Sequence, residues 1–301
     1  MKSNVKYSFL LILAAMIWGA AFVAQIVGMD YLKPFSFNGI RCFIGALVLA
    51  PLAMIVDKKE GVSTKWNSKE LIIGGIMCGF FLFLASSSQQ IGLVYTSAGK
   101  SGFITALYIV MVPVFSLFRK KKASPLVWIS VALAVVGLYF LCVTDGFTIQ
   151  ITDLWLFACA ILFALQILAV DKFAPNLDVI KLSCYQFAVS GILSIIPIIL
   201  EKPTMSDVFA CKIPILYAGI LSCGVAYTLQ MAGQKKVEPT VASILMSLES
   251  VFSVIFGFLL LHEKLSAREL VGCVVMFAAV LLAQINPKEK KDERESLEEN
   301  R

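Results

Sequence analysis

Apolar stretches long enough to cross a bilayer, each separated by a short polar run, occupy the chain from about residue 8 to residue 286. A spanning helix needs about 20 mostly apolar residues. Such segments recur at 8–28, 36–56, 70–91, 101–118, 125–143, 153–170, 180–200, 213–232, 239–261 and 269–286. Segment length selects helices over a barrel, whose strands would alternate over about ten residues between turns. The pattern therefore predicts an all-α integral membrane protein with ten transmembrane helices and short loops. The first span resembles a signal peptide, with Lys2 and Lys6 ahead of an apolar run ending in "GAAFVA". Its run is long for a signal sequence and nine more spans follow, so it is read as a retained span.

Composition agrees, with 59% apolar and 15% charged residues and a mean hydropathy of +0.85, outside the balance of a soluble domain. Of 26 Lys and Arg residues, an even span count with a cytoplasmic N-terminus puts Lys33, Lys100, Lys202, Lys212, Lys264 and Arg268 outside and Arg41 within a span; the rest fall inside. Basic residues accumulate on the cytoplasmic side of membrane proteins, so both termini are predicted cytoplasmic, in the cell membrane. The net charge of +6 is then a topology signal and calls for no nucleic-acid partner. Residues 287–301, "PKEKKDERESLEENR", alternate charge with no apolar face and read as a disordered cytoplasmic tail. Seven of the eight cysteines lie in spans without metal-ligand spacing, which argues against a disulfide framework or a metal site. The sequence has no phosphate loop, dinucleotide glycine pattern or Cys/His ligand set, so neither a soluble enzyme, nor an ATP-driven pump, nor a bound cofactor is predicted.

The chain repeats itself weakly. "KASPLVWISVALAVVGLYFL" (122–141) aligns without a gap on "KLSARELVGCVVMFAAVLLA" (264–283), and "PVFSLF" (113–118) echoes "SVFSVI" (250–255). Two halves, 1–143 and 152–286, each hold five helices, and an odd number inverts one half relative to the other. Inverted repeats bind substrate near the midplane where the halves meet, and access alternates as one bundle rocks against the other.

"AAMIWGAAFVA" in the first span, "YTSAGKSGFITALYIVMVPVF" across the third loop and fourth span, and "LMSLESVF" followed by "LLLHEKLSARELVGCVVMFAAVLL" carry a resemblance. Together they resemble the drug/metabolite transporter superfamily, in its EamA-type branch of ten-helix bacterial permeases, over nearly the whole chain. The resemblance implies a two-repeat fold around a central cavity and export of amino acids and other small metabolites. One departure is local: the family usually has Glu-Pro in the ninth span, where this chain has Glu249-Ser250, so a kink from that proline is not expected.

Helical spacing selects candidate lining residues, since i, i+4 and i+7 share a face. Trp18, Phe22 and Gln25 form such a line, as do Ser101, Thr105 and Tyr108, and also Tyr227, Gln230 and Gln234; Gln89 and Gln90 end the third span. Amides and hydroxyls in hydrocarbon must find partners or water, so these stripes either glue helices together or converge on a polar cavity. Gly75 and Gly79, and the Ser243, Ser247, Ser250 line, read as close-packing surfaces, and Pro113 as a packing kink or an unwound site.

Three charges need separate treatment. Arg41 lies about 9 Å from the outer end of its span, close enough to snorkel to the headgroups. Lys100, in "SAGKSG", is either an exposed loop lysine or, with the free N–H groups of a helix start, a receiver of substrate carboxylate. Glu249 sits almost at the centre of "SILMSLESVFSVIFGFLLL", where a charge is by default functional. It could exchange a proton during a transport cycle, receive a substrate ammonium, or be a structural hydrogen-bonded group. His262, the sole histidine, lies at the end of its span and rules out a histidine relay.

The sequence thus predicts a secondary transporter, not an enzyme, for small neutral, zwitterionic or aromatic metabolites. Its partners are a small-molecule substrate and the bilayer, as a monomer or homodimer. The alternative is a lipid flippase or scramblase of the same fold, which a lateral opening between helices would favour.

Overall fold

The computed structural model describes residues 2–61, 64–95, 98–118, 123–142, 150–261 and 266–284, all helical or in short connections. The proposed tail 287–301, the 119–122 basic run and His262 lie outside them. The helices are α1 (Lys2–Met29), α2 (Pro34–Glu60), α3 (Lys69–Tyr95), α4 (Ala98–Ala106), α5 (Tyr108–Phe118), α6 (Pro125–Cys142), α7 (Asp153–Phe173) and α8 (Val179–Glu201). After these come α9 (Met205–Ala210), α10 (Lys212–Leu216), a π-helical stretch (Tyr217–Ala226), α11 (Tyr227–Gln234), α12 (Pro239–Met246), α13 (Glu249–Leu261) and α14 (Ala267–Gln284). Among the described residues nine helical segments are long and apolar enough to cross a membrane, and Pro125–Leu141 is a shorter tenth. The fourth span is α4 with α5, the eighth is α10, the π stretch and α11, and the ninth is α12 with α13.

Packing between the halves follows a two-fold pattern. The second span lies on the seventh (α2 on α8) and the fifth on the tenth (α6 on α14), each span against its own repeat counterpart. The remaining pairings come in crossed couples. The third span on the sixth (α3 on α7) is matched by the first on the eighth, α3 on α8 by α2 on the π stretch, and α1 on the ninth span by α7 on the fourth. The protein is therefore two inverted five-helix repeats around a central cavity.

Glycines set the closest seams. A Cβ added at Gly272 would stand 2.6 Å from the Leu141 backbone nitrogen and 2.9 Å from the Gly137 carbonyl oxygen, and one at Gly137 would stand 2.9 Å from the Met276 nitrogen. The α6–α14 seam is thus backbone on backbone, as small residues permit between membrane helices. Gly79 does the same on α3, where a Cβ would stand 2.6 Å from the Gln186 carbonyl oxygen, and Gly75 faces Tyr185; the expected close-packing role of "GGIMCG" is what the chain does. Overpacking costs about 1–3 kcal/mol, so Gly272→Val is expected to lower the melting temperature in detergent clearly. Gly224→Ala, whose Cβ would meet nothing nearer than 3.7 Å, serves as the control and should change it little.

Both ends of the α2–α8 pair are tied by charges. At one end Glu201 accepts hydrogen bonds from Phe35 N (3.1 Å), Ser36 N (2.6 Å) and Ser36 Oγ (2.6 Å), placing a carboxylate on the free N–H groups that begin α2. At the other, Lys181 Nζ lies 2.6 Å from Asp57 Oδ1 and donates to Thr64 O at 2.6 Å, with the Trp66 ring centroid 5.5 Å away. Lys181 is fully buried, although by sequence it counted as a cytoplasmic loop charge. Because α2 and α8 run antiparallel, the first turn of one meets the last of the other, and the lysine closes that end.

Candidate functional site

Two spans are interrupted at the same depth. In the fourth, Leu107 separates α4 from α5, and in the ninth, Ser247 and Leu248 separate α12 from α13. Proline does not account for either break: Pro113 frees the carbonyl of Ile109, two residues beyond Leu107, and the ninth span has Ser250 where the family has proline. The ninth span is interrupted without that proline. Ser243 and Ser247 hydroxyls donate to carbonyls three residues back, Thr240 O and Ile244 O, both at 2.8 Å, a pattern that weakens and bends helices.

The interruptions make Tyr108 the first residue of α5 and Glu249 the first residue of α13, one from each repeat. The Tyr108 hydroxyl donates to Glu249 Oε1 at 3.2 Å. Glu249 lies ten residues from Pro239 and eleven from Leu260 of its span, hence ~15 Å from either end at 1.5 Å per residue.

This contact forms part of the wall of a cavity of about 50 Å³. One water needs about 10–15 Å³ on this scale, so the cavity holds a few waters and must widen to take a metabolite. Trp18, Phe22 and Gln25 all line it, as their spacing on the unbroken α1 predicted, and Gln89, Tyr108, Tyr227, Gln230 and Glu249 join them. Other candidates are absent from the lining. Thr105 faces Cys159, 3.9 Å away, and Ser101 is fully buried, because the interruption at Leu107 turns Tyr108 off the face that α4 presents to α7. Gln90 reaches Met29 Sδ at 3.6 Å, and Gln234 accepts from Gln230 Nε2 (3.0 Å) and donates to Ile167 O (3.1 Å); these two glue helices together. The side chain of Lys100 lies outside the described residues.

Sequence reasoning missed Arg41, Phe163, Gln166, Ile167, Ser222 and Met246, all in the lining. Gln166, the one amide in an otherwise apolar sixth span, was readable by the argument applied to Glu249. Arg41 does not snorkel: it is 6% exposed, with its guanidinium carbon 5.7 Å from the Phe37 ring centroid. Cavity depth, invisible in a single span, overrides the reach of its side chain to the surface.

Aromatic rings form the walls. Trp18 meets Tyr227 edge-on with centroids 4.8 Å apart, Phe187 backs Tyr227 at 5.3 Å, and Tyr108 meets Phe163 at 6.5 Å. A glutamine chain crosses three spans: Gln230 Nε2 donates to Gln166 Oε1 (3.2 Å), and Gln166 Nε2 to Gln186 Oε1 (2.9 Å). Four buried polar atoms of the lining have no hydrogen-bond partner, namely Trp18 Nε1, Gln25 Oε1, Arg41 Nε and Gln230 Oε1. Buried polar atoms are nearly always paired, and two donors and two acceptors left over in one cavity are suited to a polar ligand. A second hollow, of about 380 Å³, opens between α1 and the eighth span and is lined by apolar side chains with Tyr31 and Tyr217; it shares no lining residue with the first.

Inverted helix repeats, two interrupted spans and a polar cavity where they meet define a multi-pass membrane transporter. The EamA-like transporter family matches residues 5–143 and 150–284. The chain belongs to that family, within the drug/metabolite transporter superfamily. It is 29% identical over 282 residues to an Archaeoglobus fulgidus protein described as an uncharacterized transporter, covering 91% of this chain and 84% of that one. Bacillus subtilis YoaV, also described as an uncharacterized transporter, is 22% identical, covering 92% and 96% of the two chains. The WAT1-related chloroplastic protein At3g02690 of Arabidopsis thaliana is 26% identical, covering 88% and 66%. A solved crystal structure superposes with a TM-score of 0.77 at 18% identity, covering 93% of this chain and 96% of its own, a likeness of fold.

Proposed function

We propose that the protein is a secondary transporter, working as an exporter, that carries small neutral, zwitterionic or aromatic metabolites such as amino acids through the central cavity by alternating access. The observation that carries this reading is the aromatic cavity whose lining residues keep unpaired donors and acceptors. Aromatic rings supply apolar area, and amides and charges fix orientation, which is the usual make-up of a small-molecule site. The repeats, 1–143 and 152–286, rock against each other, both termini lie in the cytoplasm with 287–301 as a charged tail, and the protein resides in the cell membrane. Glu249 and its Tyr108 contact bind the fourth span to the ninth and couple the cycle to protons.

The test is thermal stability of the purified protein against aromatic and aliphatic amino acids, nucleosides, vitamins and organic cations, with lipid-headgroup analogues as a separate arm. Ligand at 100 times its dissociation constant adds about 2.7 kcal/mol. One soluble class is expected to shift the melting temperature. Tyr108→Ala and Gln230→Ala should each weaken that ligand about tenfold, as loss of one hydrogen bond of about 1.4 kcal/mol implies. Unchanged transport kinetics in both variants would remove these residues from the site. The apolar hollow beside α1 favours a second reading, a lipid flippase, which a response to the headgroup analogues alone would support.

A further inference from the structure

Arg41 is a charged group without a counter-charge. It lies seven residues from Pro34 in its span, it is 6% exposed, and its Nε is buried with no hydrogen-bond partner. The Phe37 ring covers one face of the guanidinium but cannot neutralise it. No carboxylate of the described residues stands within ion-pair distance: Glu201 is bound to the start of α2, Asp57 to Lys181 and Glu249 to Tyr108. An isolated ion in a span is costly and is ordinarily compensated by a partner or a functional ligand.

The same cavity contains the opposite charge elsewhere. Arg41 and Glu249 both line it, and Tyr227 lies within electrostatic reach of each. The cavity thus has a cationic region and an anionic region with an aromatic ring near both. A guanidinium offers a planar fork of donors that matches a carboxylate bidentately.

We infer that Arg41 is the carboxylate-binding residue of the cavity and that the transported compounds carry a free carboxylate. This rests on the proposal that the cavity is the substrate site. A carboxylate on Arg41 neutralises the buried cation and satisfies its unpaired donor. An ammonium on the same molecule suits Glu249, so a zwitterion leaves the occupied cavity without net charge. Amines without the acid group leave Arg41 uncompensated. Doubly charged phosphates bring an excess negative charge near Glu249. Selection among metabolites is then made first on the acid group and afterwards on the side chain that meets Trp18, Tyr227 and Phe163.

The experiment uses the full chain in detergent and matched probes: L-phenylalanine against L-phenylalaninamide, L-leucine against L-leucinamide, 3-phenylpropionate against its amide, with glycerol 3-phosphate as the phosphate arm. Dissociation constants are read from ligand-dependent shifts in melting temperature. At least one acid is expected to bind about tenfold or more tightly than its amide, the effect of losing a charge-assisted contact. Arg41→Gln should bring that pair close to equal affinity, and Arg41→Lys, which keeps the charge but not the fork, should fall between. The acid-to-amide ratio of the parent protein is informative even where Arg41→Gln fails to fold. Equal binding within every pair, no binding by any acid, a response to the phosphate alone, or a ratio unchanged in Arg41→Gln overturns the assignment. Tyr108→Ala separates the two levels, since it should weaken acid and amide alike. If it does so while Arg41→Gln keeps the ratio, the cavity remains the site and Arg41 is not its anchor. If neither variant alters binding of a compound that does bind, the cavity itself is the wrong site.

Discussion

Glu249→Gln, reconstituted in liposomes with a pH difference of one unit, is expected to let its substrate equilibrate to a concentration ratio of one. The parent protein, moving one proton per cycle, should concentrate it about tenfold, since one pH unit is worth about 1.4 kcal/mol. The position of the carboxylate is the reason. Glu249 opens α13 in mid-span, and its Oε1 accepts the Tyr108 hydroxyl at the start of α5. Adding a proton removes the charge that this hydroxyl meets. The contact between the fourth and ninth spans, one from each repeat, therefore depends on protonation. Glutamine keeps the shape and a neutral acceptor but cannot change charge. Equal accumulation by variant and parent would assign Glu249 a structural role.

The second large effect concerns Lys181. Lys181→Met should destabilise the protein by about 3–5 kcal/mol, because breaking a buried ion pair strands the remaining partner. Asp57 would lose Nζ at 2.6 Å, and Thr64 O would lose its donor at the same distance. The double variant Asp57→Leu with Lys181→Met should recover most of the loss, since an apolar replacement of both ions is often neutral. Thermal unfolding of the two variants side by side checks this. A double variant no more stable than the single one would show that the backbone contact to Thr64, not the ion pair, holds this end together.

Much of the fold was legible because a bilayer enforces a simple rule, long apolar helices, and because an odd number of them inverts a repeat. The site was legible where a helix is continuous. Trp18, Phe22 and Gln25 share a face of α1, and all three reach the cavity. Extrapolation of the same spacing through Leu107 failed, since an interruption resets which face follows. Arg41 and Lys181 were misread for a different reason. Charge counting assigns each basic residue to a side of the membrane from its position in one span, whereas the surroundings of Lys181 are built by Asp57 of α2 with Thr64 and Trp66, and those of Arg41 by the cavity. Such contacts, between residues more than a hundred positions apart, have no signature in a single sequence.

In the register that lays 113–118 on 250–255, the positions matching Tyr108 and Glu249 are Leu245 and Val112, both apolar and buried. The hydrogen bond from Tyr108 to Glu249 therefore has no image in the other half. Whatever it contributes to one arrangement of the two repeats is missing from the mirrored arrangement. A frame built on a two-fold pattern thus holds a polar contact on one side of its axis alone.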